Sequence, residues 1–142
     1  MRLPIYVCGA ISSALLLTDG VVAQQAVLQI VDLTELGMST EGGEATLYRV
    51  KYARPTVCKI DVIHYGETGR SILEFEFGSK LLAAEAREYR YEVPLAVNPN
   101  AKPVLSKKIS MKSREGRQSL SKEFETYKSL FDASHLAKCA GR

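Results

Sequence analysis

Apolar and polar residues alternate most cleanly between Val57 and Phe77. Val57-Cys58-Lys59-Ile60-Asp61-Val62-Ile63-His64-Tyr65 reads as one strand, and Ser71-Ile72-Leu73-Glu74-Phe75-Glu76-Phe77 as the next. Gly66-Glu67-Thr68-Gly69 lies between them, with glycine at each end where a turn asks for backbone angles other residues resist. Placing Tyr65 opposite Arg70 leaves those four residues as the loop. Val62 then faces Leu73, Ile60 faces Phe75 and Cys58 faces Phe77, all on one side of the hairpin. The other side pairs Lys59 with Glu76 and Ile63 with Ile72, and sets Asp61 against Glu74, a like-charge pair that argues against the register. A slip of one residue would press an apolar face onto a charged one, so this pairing is the better of the two. It points Cys58 into the core.

The same pattern places the other elements. Ala26 to Leu33 predicts a first strand, although so short an apolar run also suits a helix. Gly37 to Gly43 reads as a loop. Ala45 to Ala53 reads as a second strand, with Tyr48, Val50 and Tyr52 on one face, Arg49 and Lys51 on the other, and Pro55 ending it. Connections this short exclude parallel crossovers, so the first half is an antiparallel meander. Ser79 to Tyr91 carries two signals. Leu81-Leu82-Ala83-Ala84-Glu85-Ala86-Arg87 favours helix, whereas Tyr89, Tyr91 and Val93 alternate with charge. The reading is a helical turn or two passing into a strand that ends before Pro94. Asn98 to Pro103 is a loop by composition, and Val104 to Met111 an edge strand. Ser119 or Ser121 then caps a last helix running to about Lys138, with Leu120, Phe124, Tyr127 and Phe131 as its apolar stripe and Cys139 at its rim. The fold class that follows is α+β: an antiparallel sheet, a meander of four to six strands, with the C-terminal helix packed on one face. The alternative is a β-sandwich or open barrel with a capping helix.

The first residues change the picture. Met1-Arg2, an apolar run from Leu3 to Leu17 and the small-residue site Val21-Val22-Ala23 read as a cleaved secretory signal over residues 1–23, with Asp19 the one discordant residue. A lipid anchor on Cys8 lacks the small residue that should precede it. Residues 24–142 then form a single exported domain, periplasmic or secreted, with no further stretch apolar enough to span a membrane. Cys58 and Cys139 are the two cysteines of that domain, and in an oxidising compartment a disulfide between them is the default. It would be worth about 4 kcal/mol in the chain-entropy account. Neither lies in a CxxC or CxxCH motif.

Candidate chemistry is sparse. GxGxxG, HExxH and GxSxG are absent, and Gly78-Ser79-Lys80 is not a phosphate loop, so no cofactor is implied. The histidines recur in matching contexts, Asp61-x-x-His64 and Asp132-x-x-His135. Only the second pair, on a helix, projects to one side. His64 lies about 20 Å along its strand from Cys58 while His135 lies about 6 Å along its helix from Cys139, so a disulfide keeps the histidines apart and no metal site is expected. Charge is the better lead. Residues 24–97 hold eight Lys/Arg against eleven Asp/Glu, and residues 98–142 hold ten against four. Lys102, Lys107, Lys108, Lys112, Arg114 and Arg117 face only Glu115. Alternation sends Lys108 and Lys112 to one face of the edge strand and Lys107 to the other, so the charge lines an edge and the 113–119 loop. That suits an extended anionic envelope polymer or an acidic protein; the plain alternative is a solvated surface. Nucleic acid is disfavoured because no aromatics interleave with the charge. The expectation is a small exported, non-catalytic binding protein of the bacterial cell envelope. The alternative is an envelope-polymer hydrolase using Asp/Glu carboxylates, which calls for a deep cleft with two or more convergent ionisable groups.

Overall fold

The computed structural model describes residues 24–51 and 54–140. The segment 1–23 that the sequence reading expects to be a signal, with Cys8, and Tyr52 and Ala53 at the end of the expected second strand lie outside the described residues. Six strands form one antiparallel sheet in sequence order: β1 (Gln25–Asp32), β2 (Gly43–Val50), β3 (Val57–Tyr65), β4 (Gly69–Phe77), β5 (Leu81–Tyr91) and β6 (Pro103–Ser110). Two helices follow, α1 (Arg114–Lys128) and the single turn α2 (Ala133–Leu136). The sheet is open, so the α+β meander is the architecture and neither a sandwich nor a barrel forms. Among the described residues no helix is long and apolar enough to cross a membrane.

The β3–β4 register is the one the alternation gives: Cys58 on Phe77, Ile60 on Phe75, Val62 on Leu73 and Tyr65 on Arg70. Asp61 does face Glu74. The repulsion is relieved from β5, where the Arg87 guanidinium pairs with Glu74 and lies 3.4 Å from Glu85. Cys58, Ile60, Val62, Phe75 and Leu47 bury their side chains under α1 and α2.

Residues 81–87 are strand throughout, which corrects the helical turn expected there. Ala84 sits opposite Phe75 and Ala86 opposite Leu73, on the face the helix covers. Pairing to β4 along the whole segment, and to β6 from Glu85 onward, outweighs the local helix preference of alanine, and small side chains leave room for α1 above them.

The last helix also differs. It starts at Arg114, not near Ser119, because Ser113 caps it: the Ser113 side chain accepts from the Gly116 N–H at 2.9 Å. Gly116 is needed there, since a Cβ would lie 2.2 Å from the Ser110 carbonyl oxygen. The helix ends at Lys128, and α2 follows with Asp132 at its N-cap position. Leu120, Phe124, Tyr127 and Phe131 are all buried, the first three on α1 and Phe131 in the turn after it. Phe124 packs on Phe75 and Phe77 with ring centroids 5.8 and 5.1 Å apart. The Cys58–Cys139 disulfide joins β3 to the segment after α2, with Cα atoms 5.5 Å apart.

Candidate functional site

Cross-strand register sorts the helix-facing side of the sheet into rows. Three rows are apolar and lie beneath α1, the last of them Val62–Leu73–Ala86–Ile109. The next row along the strands is polar: His64–Ser71–Glu88–Lys107. Beyond it Gly69 stands next to Arg90. The polar row is the floor of a groove, and Ser119, Glu123 and Tyr127 of α1 are its wall.

His64 Nε2 and the Tyr127 hydroxyl are 2.7 Å apart and tie the floor to the wall. Burial pushes the His64 imidazolium down from its usual range, with the nearby Glu123 carboxylate opposing. The ring is therefore neutral at pH 7. Burial, and then Glu123, push the Tyr127 phenol up, so it keeps its proton. Glu88 is 3.6 Å from the Lys107 ammonium. Among the described residues neither Ser71 nor any carboxylate hydrogen-bonds His64, so a relay of nucleophile, base and orienting acid is not assembled.

Three hollows adjoin in series. The middle hollow, about 250 Å³, shares His64, Ser71 and Glu88 with a larger one of about 500 Å³ over the β3–β4 turn, where Arg90 lies. At the other end it shares Ile109 and Ser119 with a hollow of about 410 Å³ lined by Lys107, Lys108, Lys112, Ser113 and the start of α1.

The six basic residues of the sequence reading do not act as one set. Lys107, Lys108 and Lys112 all border the hollow at the groove's end. Lys107 and Lys108 do point to opposite faces, pairing with Glu88 and Glu85, but Lys112 lies beyond the strand. The expected 113–119 loop is the first part of α1, which places Arg114 at the helix start and turns Arg117 back onto the chain. There its guanidinium donates to the carbonyl oxygens of Met111 and Lys112 at 3.1 and 3.2 Å. Lys102 stands at the opposite end of β6, against Asn98 and Asn100.

Other ionisable groups lie elsewhere. On the uncovered face Asp61, Glu74 and Glu85 form a row across β3, β4 and β5. Burial pushes the Asp61 carboxyl up, and its Oδ1 has no hydrogen-bond partner. This row lies beside a hollow of about 260 Å³. His135 Nδ1 is 3.0 Å from the Gln29 side-chain oxygen, at the β1 side of the sheet and away from His64. Among the described residues no three His, Cys, Asp or Glu gather as a metal site.

Compared with known protein families, curated proteins and solved structures, the chain matches none. The function must be argued from the groove. His64, Ser71, Glu88, Ser119, Glu123 and Tyr127 were not singled out as a site by the sequence. A signal was present in the strands: His64 and Ser71 have the parity of the apolar core positions, and polarity there marks where the core stops.

Proposed function

We propose that this chain is a small exported, non-catalytic binding protein of the bacterial cell envelope that holds an anionic partner at the basic end of its groove. The observation that carries this is the placing of Lys107 and Lys112 at one hollow, beside the hydroxyls of Ser110, Ser113 and Ser119, with the Lys108 ammonium turned to the other face. The first turn of α1 adds the positive end of a helix dipole at the same place. A leader-like start and a disulfide fit an oxidising compartment outside the cytoplasm.

Lys107→Gln with Lys112→Gln should elute from a sulfated or phosphorylated matrix at clearly lower salt than the unchanged protein. Its melting temperature should move by less than about 3 °C, since exposed charges contribute little to stability. Unchanged elution would sink the reading. The same protein, incubated with the polymer, should release no new reducing ends. Release abolished by Asp61→Asn would favour the hydrolase reading instead, for which the opposed Asp61 and Glu74 carboxylates are the supporting observation.

A further inference from the structure

We infer that the groove takes an acidic polysaccharide, laid along α1 from the lysine end to the β3–β4 turn. This rests on the anionic-partner reading and narrows it. Three observations point this way.

The first is length. The three hollows share lining residues in series; the stretch from the Ser113 cap to Tyr127, which borders two of them, is about 21 Å long at 1.5 Å per residue, and the hollow over the β3–β4 turn lies beyond it. That suits a chain of several units better than a compact ion.

The second is the spacing of positive charge. Lys112, with Lys107 3.6 Å from Glu88, lies at one end, and Arg90 at the other; neither Lys112 nor Arg90 has an ion-pair partner among the described residues. Between them the groove offers no unpaired cation. The ligand's negative charges must therefore be spaced apart.

The third is the chemistry of the middle. Glu123 and Glu88 present carboxylate oxygens, which accept hydrogen bonds and repel anions; Ser71, Ser119 and Tyr127 offer hydroxyls that both donate and accept. The second ring nitrogen of His64 adds one more polar atom. A sugar chain has hydroxyls to donate to those carboxylates. A polyphosphate or a polyglutamate has none, and would bring dense negative charge against Glu123. The groove thus selects hydroxyl-rich, sparsely charged chains by attraction at its ends and repulsion at its centre.

The test uses the exported domain, residues 24–142, with a galacturonic acid hexamer as probe, and a maltose-series hexamer, polyphosphate and polyglutamate as comparators. Binding is measured by calorimetry, and the His64 ring resonances by NMR. The galacturonate hexamer should bind, shift the His64 resonances, and bind more tightly than all three comparators. Ser119→Ala with Glu123→Gln, both on an accessible helix face, should weaken it about tenfold, as for loss of a hydrogen bond to a charged group. Lys107→Gln with Lys112→Gln should weaken it as well, and flatten its salt dependence.

If the lysine variant loses matrix retention while the Ser119/Glu123 variant binds the hexamer unchanged, the polysaccharide inference fails and the anionic-partner reading stands. Equal or tighter binding of polyphosphate or polyglutamate, especially if Glu123→Gln improves it, makes the occupant a dense polyanion and overturns the inference. Binding of the neutral hexamer as tight as that of the acidic one overturns the acidic part. No binding of any sugar overturns it whole.

Discussion

At the scale of single residues, His64 is the informative one. It continues the inward-facing series Cys58, Ile60 and Val62, yet it is an imidazole, half-buried and bonded to Tyr127. Burial holds its proton affinity below the unfolded value near 6.5. A group that is harder to protonate when folded contributes stability that is fully present above that value and is lost as pH falls through the folded pKa. The melting temperature should therefore drop between about pH 7 and pH 5. His64→Gln, which cannot titrate, should lessen that drop, by about 1 kcal/mol or less, because the ring is partly solvated. Thermal melts across the range check this, and identical profiles for the two proteins would show that the folded ring titrates normally.

At the scale of elements, the β3–β4 hairpin was legible to the residue. Its apolar side is unbroken, and a slip would have buried Lys59 or Glu76. Residues 81–87 were not legible, because the alanines that look helical owe their conformation to distant partners, Ala83 and Ala84 to β4 and Ala86 to both β4 and β6. The start of α1 was hidden for a related reason. Gly116 is a poor advertisement for a helix, and only the approach of the Ser110 carbonyl explains it. Gly116→Ala tests that account. In an exposed helix interior this change stabilises by about 1 kcal/mol. Here the added carbon meets backbone at 2.2 Å, so the change should destabilise, by about 1–3 kcal/mol. Chemical denaturation distinguishes the two signs. The groove depends on the same element: its wall is α1, so a misplaced helix start hid the Ser119–Glu123–Tyr127 side from the sequence, while the charge count had drawn attention to Lys107 and Lys112, which line its other end.

At the scale of the whole molecule, one uncovered sheet face and a core on the other side leave the helices to be held by packing and by Cys58–Cys139. Both cysteines are almost fully buried. Cys58→Ser should destabilise by about 2–5 kcal/mol. Recovered protein should have no reactive thiols when denatured without reductant, and on the export reading its intact mass should match a chain beginning at Gln24. Two free thiols would contradict the first part, and a retained leader the second.

The disulfide also decides how the molecule would answer to a pull. Cys139 lies three residues from the last residue of the sequence given and is bonded to the first half of β3. Tension applied at the two ends therefore runs through sulfur into Cys58. It bypasses the rest of β3, β4, β5, β6 and both helices, which hang as a closed ring off the loaded line. Only β1, β2 and the first residues of β3 can be drawn out. The groove, from His64 to Tyr127, lies wholly within the unloaded ring and would keep its shape with a ligand in place while the N-terminal strands peel away.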